Sequence, residues 1–246
     1  MHAMLECRVE EERWRSFQDV NRDRRAIREF DGDPIPDADV KALIGEALLA
    51  PSGGNSQPYV IHWLRDPALK TAGAAACRHQ RAARTPSTLL MFVVAGRLAR
   101  ETLSQFRAYV AATPELSEKA REYHLREIKT RRRFLHIAPL FLWSPLRSLL
   151  TAADSSLALA PLGPSGVRHW AARNALLAAP TILLAAPARG LDSCPMEGFN
   201  PRNLGRVLEL QRGDIIALVV ALGRRRPDAQ LEPRWRRPFE AAVKVH

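Results

Sequence analysis

The chain has 246 residues, 46% apolar and 26% charged, a balance that excludes an intrinsically disordered protein and fits a globular one. Its formal charge of +11 points toward an anionic ligand or nucleic acid, but aromatics are few and no groove-reading motif occurs, so no nucleic-acid partner is expected. Cys7, Cys77 and Cys194 are far apart and lack metal-ligand spacing, which argues against a disulfide framework or zinc site; with no signal-peptide core at the N-terminus, a reduced, cytoplasmic protein is expected.

Residues 5–29 are mostly charged, with Leu5, Val9, Trp14, Phe17, Val20 and Ile27 as the apolar anchors of one or two surface helices. In PIPDADVKALIGEALLA, Val40, Leu43, Ile44, Ala47 and Leu48 follow the spacing of an amphipathic helix, with Asp37 as its cap and Pro51 as its stop. YVIHWL (59–64) has the β-branched and aromatic content of a strand. Residues 67–84 read as helix, and TLLMFVVAG (88–96) as a strand covered on both faces. A long polar helical region follows over 98–133 and ends in KTRRRF. Residues 134–168 are apolar, rich in Pro and Ser, and expected to be irregular. Their most apolar run, FLHIAPLFLWSPL (134–146), falls short of the roughly 20 residues that span a bilayer.

VRHWAARNALLAAPTILLAAPARG (167–190) is apolar nearly all round, predicting a buried or interface helix. Pro180 and Pro187 predict a kink or break in it, since an interior proline costs ~3 kcal/mol. LDSC is a short strand, and Asn200 with Pro201 opens a helix as cap and first residue. DIIALVVALG (214–223) is the clearest buried strand, and an arginine-rich tail closes the chain. Helices and strands alternate, giving an α/β chain read as one domain.

Four segments carry chemistry. NRDRRAIREF (21–30) places Arg22, Arg24, Arg25 and Arg28 close together; guanidinium forks match phosphate oxygens, although a solvated basic helix face has the same appearance. APSGGNSQPYV (50–60) offers Ser52, Asn55, Ser56 and Gln57 to a heterocycle and Gly53 and Gly54 for close approach, or it is a helix-stop loop. DSCPMEGFN (192–200) lies between a strand end and a helix start, where α/β folds place ligands. Glu197 has no partner acid or base nearby in sequence, so this segment is read as acting through backbone and shape. In EPRWRRPFEAAV (232–243), Arg234 and Arg236 flank Trp235 and would point one way on an extended strand.

Together these segments resemble the flavin-dependent nitroreductase family. RRAIREFDGDPIP stands where that family has Arg-Arg-Ser-x-Arg, Phe and Ile-Pro, and APSGGNSQPY where it has Ala-Pro-Ser-x-x-Asn-x-Gln-Pro and an aromatic. GLDSCPMEGFN matches the Gly-x-Asp-x-Cys-Pro-Met-Glu-Gly-Phe of one subfamily. The resemblance covers about 21–96 and 167–243.

It implies a nitroreductase-like α/β (α+β) fold with a central mixed β-sheet flanked by helices, and a divergent insert at about 97–166. It also implies a homodimer with FMN at the interface. Arg24, Arg25, Ala26 and Arg28 would surround the flavin phosphate and ribityl chain, joined by Arg236 and Arg234 from the tail. Pro195, Met196, Glu197 and Gly198 would line the isoalloxazine edge. Pro51, Ser52, Gly53, Asn55 and Gln57 would come from the other subunit. A basic residue near Arg81 or Arg84 would approach the pyrimidine.

The implied activity is NAD(P)H oxidation through flavin N5, with a nitroaromatic or quinone as acceptor and no catalytic side chain or metal. Related flavin chemistries (dehalogenation, enoyl or azoline oxidation) and a non-catalytic flavin-binding protein stay open. Ala26 in place of the family serine removes a hydroxyl, and Pro180 replaces a glutamine in the expected dimer helix. The apolar segment 134–166 is open to a substrate-side lid or to a patch touching membrane, through 134–150, or a partner.

Overall fold

The computed structural model describes residues 2–137 and 162–246, with side chains from residue 9 onward. One helix, α1 (His2–Asp23), accounts for the charged N-terminus, and α2 (Asp37–Leu48) follows. The central sheet has four strands, β1 (Tyr59–Leu64), β2 (Thr88–Val94), β3 (Asp192–Met196) and β4 (Ile215–Gly223), in the order β1-β2-β4-β3. All three ladders are antiparallel. The four strands thus form an antiparallel sheet rather than the expected mixed one, and the parallel contact with it is an isolated bridge between Ala26 and Ser193.

The continuous apolar runs are explained by two cores, one on each sheet face. Leu90, Phe92 and Val94 of β2 join Leu218, Val220 and Leu222 of β4 in the first core, with α2 and α7 (Gly163–Ala188) packed over them. Leu89, Met91 and Val93 face the second core with Ile216, Val219 and Ala221, beneath α3 (Pro67–Ala76) and α8 (Pro201–Val207). Alternation assigns neighbours to opposite faces. A register shift between Phe92 and Val93 lets β4 keep that alignment although Ile216 and Leu218 face different cores.

Several local expectations change. Asp37 does not cap α2; Pro36 occupies the cap position, and the Asp37 carboxylate accepts instead from Arg65. Residues 67–84 form two helices, α3 and α4 (Arg81–Arg84), separated by left-handed Arg78 and His79. The long polar region divides into α5 (Gly96–Ala112) and α6 (Glu118–Ile137), which form a hairpin around Leu103, Val110, Ile128 and Leu135. Pro114 lies at the break.

Of the region expected to be irregular, 134–137 and 163–168 are helical, and the remainder, with most of the proposed lid, lies outside the described residues. Asn200 does cap α8, accepting from the amides of Arg202 and Asn203 at 3.1 and 3.2 Å.

Helix α7 runs through Pro180 and Pro187 without a break. Pro180 lies on the exposed side, away from Ala175, Ala178, Ala179 and Ile182 in the core. The hydrogen bond it lacks is therefore missing from the solvent side, while the buried side packs uninterrupted. Pro187 falls in the final turn. Among the described residues, α7 is the one helix long and apolar enough to cross a membrane. Its apolar core side instead lies on the sheet and α2.

His62 on β1 is half-buried, and that burial pushes its pKa below the ordinary 6.5, with Asp214 opposing and Arg97 adding to the shift. The unfolded chain therefore binds a proton that the folded chain resists. Stability is full above about pH 6.5 and falls as pH drops through the depressed value. His62→Phe is expected to flatten this acid-side loss, read as a smaller Tm difference between about pH 7.5 and pH 5 than the wild-type protein shows.

Candidate active site

The arginine element is an extended segment pinned at both ends. The Ile27 amide donates to the Ser193 carbonyl at 3.0 Å, next to the Ala26–Ser193 bridge. Phe30 bridges Arg225, with Asp31 N–H donating to Arg224 O at 3.0 Å and Arg226 N–H to Glu29 O at 3.1 Å. Ile27 and Phe30 are buried in the second core, each contributing roughly 2 kcal/mol of burial. Those anchors fix the backbone and leave Arg24, Arg25 and Arg28 outside the core.

The tail completes the site. Arg24, Arg25, Ala26, Arg28, Arg234 and Arg236 all line one cavity of about 280 Å³, with Arg81 and Trp235 also on its wall. Burial pushes the Arg24 pKa down, and the charges of Arg234, Arg236 and Arg25 push it further in the same direction. Mutual repulsion of this kind is relieved by an anion between the guanidinium groups. Among the described residues, the guanidinium groups of Arg24 and Arg28 have no hydrogen bond. That of Arg236 donates only to the carbonyl of Trp235, at 2.7 Å.

Arg234 has a different task. Its NH2 donates to the carbonyls of Arg22 and Arg24 at 2.6 and 2.7 Å, and its NH1 to that of Asn21 at 3.3 Å. It thereby satisfies carbonyls that the end of α1 leaves without helical partners. Arg25 donates to Glu232 O at 2.6 Å, tying the element to the tail. Arg81 pairs with Glu29 on the cavity wall, whereas Arg84 turns away to the His79 carbonyl. Arg22 pairs with Asp19 at 3.8 Å.

Pro195 and Met196 end β3, and Glu197 and Gly198 lead toward α8. Through the Ala26–Ser193 bridge, this segment runs beside the arginine element. Its start is held by Asp192, whose carboxylate accepts from the Arg225 backbone amide at 2.8 Å and from its NH2 at 2.7 Å. Gly198 has its carbonyl bonded by the Gln80 side chain, and an added Cβ there would lie 2.8 Å from Gln80 Nε2. Glu197 is exposed. Burial pushes the Cys194 thiol up, opposed by Arg28, and pushes the Cys77 thiol up to about 11. Both thiols stay protonated near neutral pH and are poor nucleophiles.

The loop 51–57 lies elsewhere in the chain and shares no wall with the arginine cavity. Its polar side chains bond mainly within the loop. Ser52 Oγ accepts from the Gln57 amide at 3.1 Å, Ser56 Oγ donates to Gly53 O at 2.8 Å, and Gln57 Nε2 donates to Asn55 Oδ1 at 2.8 Å. Gly54, Asn55 and Gln57 are left-handed. A Cβ at Gly54 would strike the Arg131 guanidinium. Gly53 and Ser56 line a cavity of about 340 Å³ with Arg131, Phe134 and Trp170.

Asn174, absent from the sequence-predicted site, holds this loop. Its Oδ1 accepts from Gly53 N at 2.6 Å and its Nδ2 donates to Trp170 O at 2.9 Å. The available sequence signal was one amide in an otherwise apolar helix face. Among the described residues, no group of His, Cys, Asp and Glu could hold a metal ion.

The nitroreductase family model matches residues 22–224, spanning both the arginine element and β4. The chain belongs to the nitroreductase family. A relative from Thermus thermophilus described as an NADH dehydrogenase is 27% identical over 221 residues, covering 89% of this chain and 91% of the relative. Among nitroreductase structures, YdfN of Bacillus subtilis superposes with a TM-score of 0.74 at 20% identity, covering 95% of this chain and all of that one. A protein of Exiguobacterium sibiricum, described as a nitroreductase in complex with FMN, superposes at 0.73 with 18% identity, covering 94% and 97%.

Proposed function

We propose that the protein is an FMN-dependent NAD(P)H oxidoreductase that reduces nitroaromatic or quinone-type acceptors, working as a homodimer of the branch carrying Cys-Pro-Met-Glu-Gly-Phe. The observation carrying this reading is the cavity in which Arg24, Arg25, Arg28 and Arg236 meet. The donor set fits a phosphate monoester: several guanidinium groups, at least three free of protein hydrogen bonds through most of their donors, and a depressed arginine among them. Ala26 contributes no hydroxyl, but the neighbouring arginines offer stronger charge-assisted donors than the serine it replaces.

FMN supplies two-electron chemistry between a nicotinamide donor and an acceptor. The protein's part is positioning and electrostatics. Arg24, Arg28 and Arg236 would bind the phosphate, and the Pro195–Gly198 backbone would line the ring edge. Buried, protonated Cys77 and Cys194 and solvated Glu197 supply no acid–base or nucleophilic step in this reading.

The homodimer rests on an exposed apolar face. Leu48 and Leu49 at the end of α2, Leu176 and Leu177 on α7, and Trp14 and Phe17 on α1 are all exposed. Both α1 and α2 pack against α7. Exposed apolar side chains on three helices that pack together suit an interface, and a second copy would bring the partner subunit's loop 51–57 to the flavin. This accounts for a loop remote from the arginine cavity within one subunit.

Anaerobic titration with NADH and NADPH tests the reading. The expected result is a yellow protein whose flavin absorbance bleaches with one equivalent of reductant and returns on adding menadione or nitrofurazone. A protein that stays colourless after incubation with FMN would overturn it.

A further inference from the structure

We infer that the groove between α5 and α6 is a second binding site, one for an amphiphilic anion carrying a single phosphate, sulfonate or carboxylate on an aliphatic or aromatic body. The groove encloses about 670 Å³, within the 300–1,000 Å³ range typical of small-molecule sites. Its apolar lining comes from Leu125, Ile128 and Ile137. Its walls carry Arg100 and Arg107 from α5 and Lys129, Arg132, Arg133 and His136 from α6. No carboxylate lines it among the described residues.

The cations are unusually arranged. Arg100 donates to the Leu135 carbonyl at 3.3 Å, whereas Arg107, Lys129, Arg132 and Arg133 have no hydrogen bond or ion pair among the described residues. Lys129 and Arg133 are four residues apart on one helix. Like charges at that spacing destabilise a helix. The opposite side of α6 instead pairs Glu127 with Arg131 at 3.3 Å. The helix thus carries compensated charge toward loop 51–57 and uncompensated positive charge toward the groove.

The groove shares no lining residue with the arginine cavity. At 100° per residue, its α6 row also lies across the helix from the row facing Gly53 and Ser56. A small inorganic anion would satisfy the cations but leave the apolar lining wet. A neutral apolar ligand would cover that lining and leave the charges in repulsion. An amphiphilic anion matches both surfaces.

Calorimetry on the FMN-loaded protein tests this, because on the proposed function FMN fills the arginine cavity and removes it as a competing phosphate site. The probes are octyl phosphate, 1-octanol and inorganic phosphate. Octyl phosphate is expected to bind once per chain, about tenfold or more tighter than either of the others. Arg107→Gln combined with Arg133→Gln is expected to weaken octyl phosphate binding at least about tenfold. Both residues are exposed, and removing like-charge repulsion leaves the free variant's Tm equal or higher.

Arg236→Ala is expected to leave octyl phosphate binding unchanged when FMN is kept saturating. Wild-type affinity in the double variant, equal affinity for inorganic phosphate, or loss of binding in Arg236→Ala would each overturn the inference. Lys129→Gln alone should weaken the same probe and gives a second, milder variant. Vesicles of phosphatidylglycerol and phosphatidylcholine distinguish a free amphiphile from a membrane headgroup; capture by vesicles with no binding of monomeric octyl phosphate would also overturn it.

Discussion

Leu177→Glu is expected to convert the protein to a monomer and strip its flavin. Leu177 lies on the outer face of α7 and is 50% exposed in the subunit, with Leu176 beside it and Leu49, 79% exposed, at the end of the packed helix α2. In the proposed dimer, burying two uncompensated carboxylates at the seam costs roughly 3 kcal/mol or more, at least about a 100-fold rise in the dimer dissociation constant. The subunit itself should remain folded, because the core side of α7 rests on Ala171, Ala175, Ala178 and Ile182, which the substitution does not touch. Light scattering reads the mass, and the visible flavin band reads retention. Leu177→Ala, which adds no charge, should weaken the dimer much less. A Leu177→Glu protein that stays dimeric and yellow would place the interface elsewhere.

Much of the fold was legible because local chemistry and tertiary context agree. YVIHWL is β1 residue for residue. TLLMFVV could be read as buried on both faces because neither face meets solvent. The Asn200–Pro201 helix start was legible because a cap is a local hydrogen-bond arrangement, here completed as expected. Where tertiary context decides, sequence reasoning failed. Pro180 looked like a breaker, but a proline on the exposed side of a well-packed helix loses a bond without disturbing the core. Asp37 looked like a cap, but Arg65, distant in sequence, claims its carboxylate.

The candidate site shows the same division. The arginine pattern was visible, and its convergence with the tail was expected from the family resemblance. The bridges from Ala26 to Ser193 and Phe30 to Arg225 were not visible, since they join segments far apart in the chain. Loop 51–57 was expected to spend its small polar residues on a flat ring. Within the chain those residues brace a strained turn, with three left-handed positions held by Ser52, Ser56 and Asn174. Its composition is accounted for first by backbone geometry, and any contact with a flavin would use a surface that this bracing has already shaped.

The two tail arginines, equivalent in the sequence motif, should behave differently. Arg236→Ala is expected to weaken FMN binding about 10- to 100-fold, the effect of losing charge-assisted hydrogen bonds of about 1.5–3 kcal/mol. It should leave the Tm of the flavin-free protein unchanged, because Arg236 holds only its neighbour's carbonyl. Arg234→Ala removes the donor to three carbonyls at the end of α1. It should therefore lower the flavin-free Tm by a few degrees, about 1 kcal/mol, with a smaller and indirect loss of FMN affinity. Arg234→Lys keeps the charge but lacks the fork that reaches all three carbonyls, so it should recover only part of the Tm. Thermal melts without flavin and fluorescence titrations with FMN separate these effects. Equal Tm losses in the two alanine variants would show that both arginines are structural, and the phosphate would then rest on Arg24, Arg25 and Arg28 alone.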